Sequence, residues 1–336
     1  VYRFLLETNE IIAIHALLDK LTSLFRSVED KKFLKDVSII AQALPQRVSV
    51  FLNDFKQQEP APGACIISGY PIDDKQIGPT PNHWKDRHGV SKTLPEEMLF
   101  FLFSTLLGDV IGWATQQDGY LVHDVLPIKS DENAQISTGS QQTIWWHNED
   151  AFHPYRGDFI GLMCLRNPDF VPTTFASVDM IDLDMNVKEI LFEPRYIFKP
   201  DESHAKKNSG GANLNSKFAY RHIEEMFKNP KKQPVLLGHP ESPYLRLDPY
   251  FMLPPDEDTS TTALNTLIRE IDLKLSELTL QPGDVLFIDN YRAVHGRKPF
   301  KARYDGTDRW LKRMNIARDL RKSRDSRETS ASRIIF

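Results

Sequence analysis

The stretch Trp145-Trp146-His147-Asn148-Glu149-Asp150 carries the most chemically suggestive spacing in the chain. In an extended strand, residues i and i+2 project from one face, so His147 and Glu149 can aim an imidazole and a carboxylate at the same point. A third ligand from a distant strand would complete a set of two histidines and one carboxylate. Such a set leaves positions open on an octahedral Fe(II), enough for a bidentate co-substrate and O2. His295, in Asp289-Asn290-Tyr291-Arg292-Ala293-Val294-His295-Gly296-Arg297, is the candidate, because it follows the strand-and-turn pattern Gln281-Pro282-Gly283-Asp284-Val285-Leu286-Phe287-Ile288. A His-x-Glu on a strand also arises without any metal. The company of His295 and of two arginines downstream gives it weight.

Those arginines are Arg309, in Tyr304-Asp305-Gly306-Thr307-Asp308-Arg309-Trp310, and Arg313. Asp305-Gly306 marks a turn, so Arg309 is expected to begin a strand that returns beside the one ending near His295. A guanidinium there can clamp a carboxylate through two parallel hydrogen bonds. Arg313, four residues on, shares the strand face and offers a second anion site. Taken singly, either arginine reads equally well as a solvated surface charge.

The elements that must position these groups are visible as changes of texture. Apolar stripes at Leu17, Leu18, Leu21 and Leu24, then at Phe33, Val37, Ile40 and Ala41, predict two amphipathic helices in a helical part spanning residues 1–60. Past Glu59-Pro60-Ala61-Pro62-Gly63, Ala64-Cys65-Ile66-Ile67 reads as a short buried strand. Pro95-Glu96-Glu97 opens a helix running to about Leu107, with proline in the first turn and acids suited to the helix dipole. From Tyr120 onward, short β-rich segments alternate with Pro, Gly, Asn and Asp clusters: Thr143–His147, Phe159–Leu165, Thr173–Val178, Tyr196–Phe198, Val235–Leu237, Tyr244–Leu247, Val285–Ile288 and Trp310–Ile316. Many short strands between turns predict a barrel or jelly roll. Residues 201–234, rich in Lys, Asn, Ser and Gly, are expected to form a lid or flexible insertion. A basic tail occupies 318–336. Without internal repeats, residues 1–336 read as a single domain.

Composition sets wide limits. The 336 residues hold 42 Lys+Arg against 46 Asp+Glu, a net charge of −4, with 40% hydrophobic residues. A chain of this length can build a large core without covalent staples. Its two cysteines, Cys65 and Cys164, fit neither a disulfide framework nor a Cys-x-x-Cys site, which points to reduced thiols and a cytoplasmic setting. The longest apolar run, Met98 to Leu107, falls short of the ~18 residues a membrane span needs. No signal-peptide pattern opens the chain at Val1, although a removed leader stays open as an alternative.

At this point a family resemblance is evident. The chain resembles Fe(II)/2-oxoglutarate-dependent oxygenases of the clavaminate synthase-like group, in the branch of asparagine oxygenase and the arginine and enduracididine β-hydroxylases. The matching elements are His147-Asn148-Glu149-Asp150-Ala151-Phe152-His153-Pro154, Cys164-Leu165-Arg166-Asn167-Pro168-Asp169, Asp289-Asn290-Tyr291-Arg292 through His295-Gly296-Arg297, and Asp305 to Trp310. They occur in the family's order between about Cys65 and Arg318. The resemblance implies an α+β fold with a double-stranded β-helix (jelly-roll) core and flanking, mainly N-terminal helices. It implies Fe(II) on His147, Glu149 and His295, and 2-oxoglutarate held at its distal carboxylate by Arg309 together with Thr174. O2 is the third reactant. Halogenating relatives carry a small residue at the acid position to admit chloride, so Glu149 argues against halogenation.

The resemblance further implies a free amino acid gripped by its backbone groups, with Gln116 and Glu149 meeting the amine and Ser137 and Arg313 the carboxylate. Gln117 is a rival for the first of these. Asp248, in Leu245-Arg246-Leu247-Asp248-Pro249-Tyr250-Phe251-Met252, matches one carboxylate used to bind a guanidinium. Relatives that bind arginine can supply two acids, and here the next polar position is Tyr250. A single buried carboxylate already selects a cation, since an unpaired buried charge costs several kcal/mol. Asp248-Pro249 also reads as a plain turn. The expected reaction is hydroxylation, at Cβ, of arginine or a cyclised derivative such as enduracididine, with lysine, ornithine or asparagine as alternatives. A non-catalytic metal-binding β-barrel is the alternative from a different class.

Other features are read as structural. His153 precedes Pro154 and suits a loop, His204 lies at the edge of the expected lid within reach of substrate, and Trp145 and Trp146 suit surface and core strand positions. Lys312 to Arg333 holds eight basic and three acidic residues but no interleaved aromatics, which argues against nucleic acid. A zinc hydrolase is disfavoured because no helical His-Glu-x-x-His occurs. The expected partner is a small free amino acid, with neither nucleic acid nor membrane.

Overall fold

The structure is a computed structural model that describes residues 1–58, 62–87, 89–205 and 214–336. Two β-sheets face each other. The larger runs Tyr2–Leu5, Ala64–Ser68, Val285–Asp289, Phe159–Arg166, Trp310–Ala317, Asp109–Trp113 and Ile334–Ile335, with His123–Val125 also pairing Trp310–Ala317. The smaller runs Ser276–Leu278, Thr173–Ser177, Ala293–Arg297 and Ile144–His147. From Ile144 to Ala317 the chain repeatedly steps from one sheet to the other, and the central pairings are antiparallel. This is the expected jelly roll.

The period-two alternation of the strands separates two environments. Cys65, Ile67, Met163, Val285, Phe287, Met314 and Ile316 point outward into a core shared with the helices Thr8–Leu24, Lys31–Ile40, Gln46–Gln57 and Leu94–Leu107. Ile66, Ile160, Leu162, Leu286, Ile288 and Leu311 point inward, between the sheets. Leu94–Leu107 is buried on nearly every side, as its continuous apolar run requires. On the outer face of the smaller sheet, Trp146, Ala176 and Val294 pack with the helices Met185–Phe192 and Asp258–Lys274.

Several expectations need correction. The N-terminal part holds a third helix, Gln46–Gln57, whose buried Val48, Leu52 and Phe55 have helical spacing, and an edge strand, Tyr2–Leu5. The first helix buries Ile14, Leu18 and Leu21, leaving Leu24 exposed. Within the β-rich region three helices, Met185–Phe192, Leu214–Lys228 and Asp258–Lys274, interrupt the strands, and Tyr196 and Phe198 make isolated bridges, to Gln233 and Met252, in place of a strand. The strand after Arg309 does not lie beside the His295 strand: it belongs to the larger sheet, next to Phe159–Arg166, and faces His295 across the interior.

Residues 59–61 of the expected boundary and 206–213 of the expected insertion lie outside the described residues. Around them the insertion contains a short 3-10 turn, Glu202–His204, and the helix Leu214–Lys228. The basic tail is built in: Ile334–Ile335 extends the larger sheet beside Asp109–Trp113, and buried Arg327 donates to the carbonyls of Leu320, Ser330 and Ser332. Among the described residues no helix is long and apolar enough to cross a membrane.

The turn leading into Val285–Asp289 has little tolerance. Gly283 has φ +91, and a Cβ there would sit 1.8 Å from the Tyr70 carbonyl oxygen. Gly283→Ala should therefore destabilise the protein by about 3 kcal/mol or more, read as a lowered denaturation midpoint in urea with unchanged slope.

Candidate active site

His147 ends one strand of the smaller sheet and His295 lies in the adjacent strand, directly opposite it in register. With the pleat setting both side chains inward, Glu149 comes to 3.6 Å from His147 Nε2 and 3.5 Å from His295 Nε2 through Oε2. The three offer ligand atoms within 4.8 Å of one another. His147 Nδ1 lies 2.8 Å from the Trp145 carbonyl oxygen, to which it donates, so Nε2 is the nitrogen with a lone pair for a metal. Two imidazoles and a carboxylate converging in this way fit Fe(II) by donor type.

Two buried asparagines hold this arrangement. Asn148 donates to the carbonyls of Asn290 and Ala293 and accepts from Leu247 N–H, while Asn290 accepts from Glu149 N–H and donates to the carbonyls of Glu149 and Gly157. One lattice thus ties the His-x-Glu segment to the turn before His295 and to the residue preceding Asp248. Sequence reading gave neither asparagine a role, although both stood inside quoted motifs.

Charge in the site is tightly balanced. Burial alone would raise the Glu149 carboxyl, but the Arg313 guanidinium and the two histidines hold it well below the usual range. Burial disfavours the charged His147 imidazole, yet the bond to Glu149 and the charge of Asp248 raise it to about 9. A proton and a metal ion therefore compete for the same nitrogen. Arg313 hydrogen-bonds Glu149 Oε1, Gln116 Oε1 at 3.1 Å and His123 Nδ1 at 2.9 Å. His123, buried and beside Arg313, is kept neutral and can accept.

The three ligands open onto a cavity of about 870 Å3 that is also lined by Ser137, Trp145, Thr173, Asp201, Ser203, Asp248, Arg297, Arg309 and Arg313. Arg309 is buried and makes no hydrogen bond or ion pair among the described residues; burial lowers its guanidinium to about 10, and its Nε is unsatisfied. Arg313 Nε is likewise unsatisfied. Two buried guanidinium groups with unused donors fit two carboxylates.

Asp248 lies across the cavity, buried, with its carboxyl raised by desolvation to about 6. It also accepts from Phe251 N–H, as the turn reading expects, while lining the cavity. Asp201 is the acid that sequence reading missed as a site residue. It lies far along the chain from Asp248, and no spacing pattern joins them.

Thr174 is displaced from its expected place. It pairs with Gly296 and shares that residue's outward face, whereas Thr173 pairs with inward-facing Arg297 and lines the cavity. Gln116 borders a second recess, which adjoins the cavity at Ser137, Ser203 and Arg313. Its rival Gln117 borders the same recess, with its side-chain amide bonded to the Asp124 backbone. His204 does not line the main cavity. His153 is a buried loop residue that accepts from Tyr155 N–H and packs edge-on against Trp113.

Comparison with known proteins gives a consistent answer. Residues 188–315 match the family described as taurine catabolism dioxygenase TauD, TfdA family. The chain is 42% identical to an enduracididine β-hydroxylase from Streptomyces hygroscopicus, over 98% of each chain. It is 41% identical to an L-ornithine/L-arginine 3-hydroxylase from Catenulispora acidiphila, over the full length of both. The crystal structure of the non-heme iron oxygenase OrfP with Fe, succinate and (3S)-hydroxy-L-Arg superposes with a TM-score of 0.96 at 46% identity, covering all of both chains. Taken with the His-Glu-His cluster inside a jelly roll, these matches show that the chain belongs to the clavaminate synthase-like Fe(II)/2-oxoglutarate-dependent oxygenases, in the branch of enduracididine and arginine hydroxylases.

Proposed function

We propose that this protein hydroxylates a free basic amino acid, L-arginine or a cyclised relative such as L-enduracididine, at Cβ. Each turnover consumes O2 and converts 2-oxoglutarate to succinate and CO2. The observation that carries the reading is one cavity holding the His147, Glu149 and His295 ligand set together with two carboxylates, Asp248 and Asp201, and two incompletely bonded guanidinium groups, Arg309 and Arg313. Cationic and anionic ends of small molecules thus have separate partners.

Fe(II), when held by His147, Glu149 and His295, supplies the O2-dependent oxidation of 2-oxoglutarate and delivers the second oxygen atom to a C–H bond. The protein's residues supply aim. Arg309 fixes the distal carboxylate of 2-oxoglutarate, with Thr173 beside it. Arg313 and Ser137 receive the amino acid's carboxylate, and Glu149 and Gln116 its amine. Asp248 and Asp201 hold the cationic side chain, so the substrate is fixed at both ends and its middle carbons face the metal. The buried, unpaired thiols Cys65 and Cys164 suit a reducing cytoplasm.

Succinate release by the Fe(II)-loaded protein should rise with arginine or enduracididine more than with ornithine, lysine or asparagine; no stimulation by any basic amino acid would exclude the substrate class. His147→Ala should abolish turnover. Arg309→Gln should raise the KM for 2-oxoglutarate with little change for arginine, and equal effects on both would remove Arg309 from its assigned place.

Asp248 gives a prediction with two signs. Its folded carboxyl titrates near 6, above the ordinary 3.8. The folded state therefore binds the proton more tightly, and stability falls as pH rises from about 4 to 6. Asp248→Asn removes this cost, so the ligand-free variant should be more stable than the parent at pH 7.5, by on the order of 2 kcal/mol. The same change should raise the arginine KM sharply. In the parent, arginine KM should rise as pH is lowered through 6. A variant destabilised at pH 7.5 would show that Asp248 serves the turn alone.

A further inference from the structure

We propose that His204 is a positioning residue that fixes the site's preference for a cationic side chain by holding Asp201 in the substrate cavity. The inference rests on the reading of Asp201 and Asp248 as partners of that side chain. The Asp201 carboxylate starts a single 3-10 turn, Glu202–His204, and accepts from Ser203 N–H at 2.8 Å. That bond sets its orientation relative to the turn. It does not set the turn relative to the iron ligands.

His204 does so from the other end of the turn. Its side chain is wholly buried, with Nε2 2.9 Å from Asp150 Oδ1, also wholly buried, and Nδ1 2.6 Å from Thr115 Oγ1. Asp150 directly follows Glu149, so the turn is moored to the metal-binding segment. A ligand atom of His204 lies within 4.8 Å of carboxylate oxygens of both Asp150 and Asp201, which places the imidazole between the two acids. Gln116 reinforces the mooring: its amide nitrogen donates to Ser203 Oγ, and its oxygen accepts from Arg313. The residues assigned to the amino acid's backbone end therefore also brace the turn that presents Asp201 to its side chain.

The test is steady-state succinate release by the full Fe(II)-loaded chain, with L-arginine and 2-oxoglutarate varied in turn. His204→Ala and Asp201→Asn should each raise the arginine KM about tenfold or more and leave the 2-oxoglutarate KM within about twofold; the double variant should be no worse than the worse single one, as for two residues acting through one contact. An arginine KM unchanged in His204→Ala, or effects that multiply in the double variant, overturn the assignment. If His204→Ala does not fold, Thr115→Val removes only the partner of Nδ1: a raised arginine KM supports the assignment and an unchanged one overturns it. A parent that responds to arginine and to Asp201→Asn but not to His204→Ala overturns this assignment alone, whereas a parent with no arginine-stimulated succinate overturns the functional reading with it.

Discussion

A buried carboxylate between two sheets is the constraint around which the site is built. Glu149 cannot stay ionised in that interior without compensation, and removing one partner of a buried ion pair costs roughly 3–5 kcal/mol. Its compensation comes from both walls of the jelly roll. His147 and His295 approach one oxygen from the smaller sheet, and Arg313 reaches the other from the larger. Each partner is then constrained in turn: His147 by the Trp145 carbonyl, Arg313 by Gln116 and a neutral His123. The His147, Glu149 and His295 cluster and Arg313 are thus parts of one charge network that spans both sheets.

Much of this was legible because it depends on periodicity. On a strand, His147 and Glu149 share a face, and so do Arg309 and Arg313, whatever the surrounding fold. The pairing of His147 with His295 is a tertiary fact, yet a chemical requirement for a third ligand narrowed the choice. The same pleat explains the failure at Thr174. Neighbouring threonines differ by one residue and hence by a whole face, and the sequence around Pro172 holds no mark of which one turns inward.

What was illegible depends on contacts between distant segments. Asp201 joins Asp248 because the Glu202–His204 turn docks onto Asp150 and Thr115, and no local pattern encodes a docking event. The third N-terminal helix, by contrast, had its periodic signal in Val48, Leu52 and Phe55. Pro45 stands at the N-cap of that helix, next to the first turn in which proline is tolerated. Asn148 and Asn290 escaped notice for another reason: their work is done on backbone groups, which look alike in any sequence.

The register of the strand Trp310–Ala317 makes these placements mandatory. Arg309, Leu311 and Arg313 face the interior, and the alternate residues Trp310, Lys312 and Met314 face out. A slip by one residue would exchange the two sets, sending both arginines outward. Lys312 opposes such a slip, because its buried ammonium meets Glu97 of the central helix at 2.8 Å and Asp124 of the neighbouring strand at 2.6 Å. Trp310 Nε1–H donates to the same Asp124. Sliding the strand would pull the Lys312 ammonium away from both carboxylates, and breaking a buried ion pair costs roughly 3–5 kcal/mol. The outward face thus carries its own ionic lock, and the lock keeps Arg309 and Arg313 turned toward the His147, Glu149 and His295 cluster.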